Sequence, residues 1–162
     1  MTKVIQIVGY KDSGKTTLMN LLIQHFSQEM KVGSLKHHGH GGEIELIQET
    51  DSTSNFEAGS SISGVEGESI TQLTLDNIPF EELIDLYTYL SVDLLLIEGY
   101  KHANYPKIVL LKNNEEISLL QQLSNIIAVG TDDFFIETDY PTFNSRTVDS
   151  EIKRIASYIA NN

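Results

Sequence analysis

The spacing of apolar residues divides the chain into alternating strand-like and helix-like segments. "KVIQIV" (Lys3 to Val8) is rich in β-branched residues and reads as a buried strand. From Gly14 the spacing turns helical, with Leu18, Leu21, Leu22 and His25–Phe26 on one face. "VGSLKH" predicts a second strand, and the Gly- and His-rich segment from His37 to Glu49 predicts a loop. "SNFEAGS" predicts a short helix. "SSISGVEG" and "SITQLTL", parted by Gly67, predict a hairpin. Asp76–Asn77 and Pro79 mark a helix start for "FEELIDLYTYL". "VDLLLI" is apolar without interruption, as in a strand covered on both faces. "KIVLL" and "NIIAVG" are two more strands, with a helix over "EEISLLQQL" between them. A last helix runs from Asp149 to Ala160, its apolar face made of Ile152, Ile155, Ala156 and Ile159. This alternation predicts an α/β fold: a mostly parallel sheet flanked by helices, with a small β-hairpin addition. No repeat and no Pro- or Ser-rich linker interrupts it, so residues 1–162 read as a single domain. Ligands of such sheets bind at the carboxyl ends of the strands.

One such end carries "GYKDSGKT", which fits G-x-x-x-x-G-K-[ST] at Gly9, Gly14, Lys15 and Thr16. Glycines let the backbone turn its amides toward a phosphate with no Cβ in the way. Lys15 reaches the β- and γ-phosphates, Thr16 binds Mg²⁺, and the following helix points its N-terminal amides at the anion. The motif lies between a predicted strand and a predicted helix, the context a P-loop requires. The expected fold is therefore P-loop NTPase-like.

A metal ion here needs a second anchor. Of the two acids in "DLLLIEG", Glu98 stands at the binding end of its strand. Asp93 stands about five residues back, roughly 16 Å away, and reads as the end of the preceding loop. Asp51, in "ETDS", either completes the metal site and orients water or serves as a helix N-cap. "KHHGHGG" places Lys36, His37, His38 and His40 at the same edge, as transition-metal ligands, as anion contacts, or as a polar loop. "EGYKHANYPKI" adds Lys101 and Lys107, and a cation in this loop would face the edge that Lys15 faces. Lys101 is the candidate phosphate contact. In "AVGTDD", Asp133 falls where an N-K-x-D element would place its guanine-reading acid. Gly130 and Thr131 stand in place of the Asn and Lys, and an ordinary loop acid is the equal alternative.

Composition narrows the partners. The formal net charge is −12, so no basic face exists to track a nucleic acid or an anionic membrane. A single nucleotide needs only a few placed cations. There are no cysteines, which excludes disulfides and thiolate metal sites. The N-terminus enters a strand directly, and no apolar run is long enough to span a bilayer, so a cytoplasmic location is expected.

Taken together, "VGYKDSGKTTL", "LKHHGHGG", "TDS", "EAGS" and "DLLLIEGYKHANYPKIVLL" resemble the MobB family of molybdopterin-guanine dinucleotide biosynthesis adaptor proteins, from Lys3 to about Asp133. The resemblance implies a GTP-binding P-loop protein of the SIMIBI class. It also implies a homodimer that acts with the MobA guanylyltransferase, which attaches GMP to molybdopterin, so the pterin or its dinucleotide is a possible further ligand. It implies a GTP phosphate loop from Gly9 to Thr17, including Lys11, Asp12, Ser13, Gly14, Lys15 and Thr16. Mg²⁺ would be served by Thr16, Glu98 and Asp51, catalysis by Lys15 and Asp51, and the pocket would be lined by Lys36, His37 and Lys101. Two departures stand out. Tyr10 occupies the place of the SIMIBI signature lysine, and no full guanine-selectivity motif is present.

Phosphoryl transfer needs charge neutralisation and a placed water. The only arginines, Arg146 and Arg154, lie near the C-terminus and offer no finger in cis, which predicts slow GTP hydrolysis. The competing readings are a metallochaperone GTPase that loads metal through the histidine loop, and a small-molecule kinase or ligase with the same Thr/Asp/Glu metal layout.

Overall fold

A computed structural model describes residues 1–39 and 51–162. They belong to two compact units, one of Met1–Gly39 with Tyr87–Asn162 and a smaller one within His40–Leu86. His40 and the rest of the predicted loop up to Glu49 lie outside the described residues.

The larger unit holds a parallel six-stranded sheet. Its strands are β1 (Lys3–Gly9), β2 (Val32–Lys36), β5 (Leu94–Glu98), β6 (Lys107–Leu111), β7 (Ile126–Thr131) and β8 (Thr142–Asn144). They are ordered β2-β5-β1-β6-β7-β8. The pleat sends alternate side chains to opposite faces. Ile5, Ile7, Leu94, Leu96, Ile108 and Leu110 pack with α1 (Lys15–Phe26) and α4 (Val148–Ala160) through Leu18, Leu22, Ile155 and Ile159. On the other face Val8, Val109, Leu111 and Val129 pack with Leu119 of a 3-10 stretch, Asn114–Gln121, and with Ile136. The predicted α/β sandwich is thus present, with two differences. "EEISLLQQL" is a 3-10 stretch rather than an α-helix. The sheet also has an unanticipated sixth strand, β8, whose three residues are too few to show an alternation.

The smaller unit contains α2 (Asp51–Glu57) and the antiparallel hairpin of β3 (Ile62–Glu66) and β4 (Thr71–Leu75), with Ile62 opposite Leu75. The Gly67 amide closes the hairpin turn on the Ile70 carbonyl at 2.8 Å. Ser63 Oγ donates to the Ser52 carbonyl at 2.6 Å, tying the hairpin to α2. Helix α3 (Phe80–Tyr89) follows.

The connection from β5 to β6 is unusual. It must step over β1, yet it comprises only residues 99–106 and has no helix; parallel strands usually need a dozen or more connecting residues. Register explains the economy. Glu98, the last residue of β5, is level with Ile7, and Lys107, the first of β6, is level with Gln6. Strand β6 therefore begins where β5 ends, and the chain crosses without returning to the far edge.

Such a crossing turns carbonyls toward the sheet, and each needs a donor. Two fully buried polar side chains supply them. Gln6 Nε2 donates to the carbonyls of Gly99 (3.1 Å) and Tyr100 (2.6 Å). Lys107 Nζ donates to Gln6 Oε1 (2.9 Å) and to the carbonyls of Ala103 (2.6 Å) and Tyr105 (2.7 Å), which uses every donor of the ammonium. Burial lowers the Lys107 pKa. This corrects the expectation that Lys107 would face the binding edge; it is an internal clamp.

Candidate functional site

The loop after β1 has the backbone that an anion cradle requires. Asp12 and Gly14 both take left-handed conformations, φ 61° and 88°, and such reversals of hand turn successive amides to one side. Gly14 then opens α1, and its carbonyl accepts the first helical bond, from Leu18 N at 3.0 Å. At Gly9 a Cβ would lie 2.5 Å from the Leu110 carbonyl oxygen and 2.7 Å from Ser13 Oγ, so only glycine lets the loop leave β1 this close to β6.

Lys15 reaches back across the loop. Its Nζ donates to the Tyr10 carbonyl at 2.6 Å and lies 3.5 Å from Ser13 Oγ. Burial lowers its pKa, opposed by the Glu98 carboxylate. Thr16 Oγ1 donates to Glu98 Oε2 at 3.1 Å, so the hydroxyl and carboxylate expected to flank a metal ion are adjacent. The other oxygen, Oε1, lies 3.4 Å from Lys36 Nζ. Mg²⁺ prefers such hard oxygen ligands and keeps several of its waters. Thr16 and Glu98 suit that chemistry, with Glu98 acting directly or through water. Lys11, Asp12 and Thr17 are exposed on the loop and first helical turn, while Ser13 is buried within it. Asp93 is at the opposite end of β5, where its carboxylate accepts from the Lys31 amide at 2.8 Å.

Aromatic contacts organise the rim. His37, just past β2, stacks on Tyr100 with ring centroids 4.2 Å apart. A Cβ on Gly99 would lie 3.0 Å from His37 Cβ, which keeps this corner tight. Lys101 Nζ lies 6.0 Å from the centroid of the Tyr10 ring, in cation–π range and directly beside the phosphate loop. Among the described residues no group of three His, Cys, Asp or Glu is arranged to hold a metal ion.

Cations collect at the carboxyl edge of the sheet. Lys11 and Lys15 follow β1, Lys36 ends β2, Lys101 follows β5, Lys112 follows β6 and Arg146 follows β8. These are six of the eleven basic residues in a chain of net charge −12. Arg146 is the one that distance in sequence concealed. β8 brings it beside the end of β7, where its guanidinium pairs with Asp132 through Nε and approaches Asp133 Oδ2 at 3.8 Å. Asp133 Oδ1 also accepts from Asn144 Nδ2 at 3.3 Å, and Asn144 Oδ1 is held by the Arg146 amide at 2.9 Å. Asp133 has φ 60° and an exposed side chain. Asp51 is the first residue of α2, in the smaller unit.

Residues 4–132 match the family described as molybdopterin guanine dinucleotide synthesis protein B, MobB. The chain belongs to the MobB family. This bears out the resemblance carried by the P-loop, "KHHGHGG" and "EGYK". A probable molybdopterin-guanine dinucleotide biosynthesis adapter protein of Bacillus subtilis is 43% identical over 129 residues, which are 78% of this chain and 74% of the relative. The corresponding adapter protein of Haemophilus influenzae is 30% identical over 98% of this chain and 88% of its own. The crystal structure of Bacillus subtilis MobB superposes with a TM-score of 0.81 at 34% identity, covering 96% of this chain and 97% of that one. The P-loop NTPase-like fold read from the sequence is therefore the MobB fold.

Proposed function

We propose that this MobB-family chain is a GTP-binding adaptor that assists attachment of GMP to molybdopterin, working with a MobA-type guanylyltransferase. The observation that carries the nucleotide part is the meeting of Thr16 with Glu98 beside Lys15, which supports a Mg²⁺–triphosphate site. The adaptor part rests on family membership and on the relatives, which bear that role in their names.

In this reading the segment from Gly9 to Thr17 cradles the phosphates, and Thr16 and Glu98 serve Mg²⁺. Lys15 neutralises the β- and γ-phosphates, and Lys36, His37 and Lys101 line the phosphate end. Asp133 reads the base. Strands β1, β6 and β7 are successive neighbours, so Asp133 stands about two strand spacings, roughly 10 Å, from the phosphate loop, a distance a nucleotide spans. The two carboxylate oxygens of Asp133 beside the Asn144 amide donor suit a base edge with two adjacent donors and an acceptor, which guanine has and adenine lacks. Hydrolysis is slow, because Arg146 follows the outermost strand and is already paired with Asp132. The protein works in the cytoplasm as a homodimer, each chain acting as one functional domain.

Equilibrium binding of GTP and ATP, with and without Mg²⁺, tests this reading. It expects GTP to bind more tightly than ATP, Mg²⁺ to strengthen binding, and Lys15→Ala to abolish it. Equal affinity for both nucleotides, or binding indifferent to Lys15, overturns it.

A further inference from the structure

A fully buried lysine is rare and needs an explanation. Lys107 spends all three ammonium donors on Gln6 and on two carbonyls of the β5–β6 crossing, and Gln6 grips two more. A hydrophobic pair at these positions would leave all four carbonyls without these donors. The clamp is therefore matched to one course of one loop. That loop begins just after Glu98 and carries Tyr100, stacked on His37, and Lys101, poised over Tyr10. Tyr10 in turn offers its carbonyl to Lys15. A continuous chain of contacts thus runs from the buried pair to the phosphate loop.

We propose that Lys107 and Gln6 are positioning residues of the phosphate site. They hold the crossing so that Lys101, from within the same chain, supplies a second cation to the phosphates cradled beside Lys15. The backbone supports this division of labour. Gly99 and Tyr100 adopt consecutive left-handed conformations, φ 100° and 48°, and Tyr100 has no glycine freedom to offset the strain. Carbonyl bonds to Gln6 at both residues hold that turn in place. Released from them, the turn relaxes and Lys101 leaves Tyr10. Lys107 and Gln6 touch no ligand themselves; they act through the loop.

The inference rests on the nucleotide reading above, and its test separates the two. Affinities for GTP, GDP and GMP are measured for the intact chain and for Lys101→Ala, Lys107→Met, Gln6→Glu and the double variant Lys101→Ala/Lys107→Met. Gln6→Glu keeps the shape and a partner for the lysine while removing the Nε2 donors, so it stays informative if Lys107→Met does not fold. The expected result is a loss of GTP affinity of about tenfold in each single variant, as for a charge-assisted phosphate contact. GMP affinity should be nearly unchanged, and the double variant should be no weaker than either single one. A purely structural clamp would instead lower all three affinities alike, and multiplicatively with Lys101→Ala. That pattern, or Gln6→Glu binding GTP like the intact chain, overturns the inference. Absence of Lys15-dependent binding in the intact chain overturns the nucleotide reading instead.

Discussion

Thr16 Oγ1 donates to Glu98 Oε2 at 3.1 Å, joining the first turn of α1 to the end of β5. A hydroxyl and a carboxylate at this distance, beside a P-loop lysine, are placed to share one hard cation. Glu98→Gln retains an oxygen for the hydroxyl, removes the charge and replaces the second oxygen, which faces Lys36, by an amide donor. The Mg²⁺-dependent part of GTP affinity should fall about tenfold, roughly 1.4 kcal/mol, with Mg²⁺-free binding preserved. A magnesium titration of the variant checks this; an unchanged Mg²⁺ dependence would remove Glu98 from the metal site.

Gly9 is the tightest point of the loop. An alanine Cβ there meets the Leu110 carbonyl oxygen at 2.5 Å, and β6 cannot withdraw without disturbing the core behind it. Gly9→Ala should cost about 1–3 kcal/mol of stability and at least tenfold in nucleotide affinity. Thermal melting and nucleotide titration on the same sample measure both losses.

Base selection should turn on Asp133. Asparagine at this position replaces an acceptor by a donor, so a base carrying an oxygen in place of the guanine 2-amino group becomes the better partner. Asp133→Asn should shift preference from GTP toward xanthosine triphosphate by about 1–3 kcal/mol, the worth of a bidentate base contact. Competition between the two nucleotides reads the shift directly, and an unaltered ratio would assign Asp133 to the ordinary loop acid that its sequence context equally allows.

Tyr87 donates its hydroxyl to the Ser34 carbonyl at 2.6 Å, and burial raises its pKa above the usual 10.0. The unfolded chain therefore loses this proton first as pH rises. The stabilisation is complete below pH 10 and disappears as pH climbs through the folded value. Tyr87→Phe should be less stable by about 1 kcal/mol at neutral pH, and the gap should close above pH 10. Urea unfolding of both proteins on either side of that pH follows the difference; a gap that stays constant would mean the hydroxyl keeps its environment on unfolding.

Legibility in the sequence followed the number of residues carrying each signal. "VDLLLI" and "KIVLL", like the β1 run "KVIQIV", announce buried strands because β-branched and aliphatic residues repeat the message at nearly every position. The P-loop is legible because its spacing and its strand–helix setting agree. β8 is not, since three residues hold no period. The place of Arg146 is hidden for the same reason: its position near the C-terminus reads as remote from the P-loop, and only β8 carries it to the binding edge. Gln6 is a polar residue inside an apolar strand, but no residue near it in sequence is its partner. Lys107 lies about a hundred residues on, and nothing local records that β6 starts level with the end of β5.

In the proposed function, nucleotide binding at the P-loop serves an adaptor role. The most direct measurement is the rate at which a MobA-type guanylyltransferase converts molybdopterin and GTP to the dinucleotide, with and without this chain. Faster formation is expected when the chain is present, with no gain from folded Lys15→Ala protein. Equal rates with the intact chain, the Lys15 variant and no chain at all would contradict it.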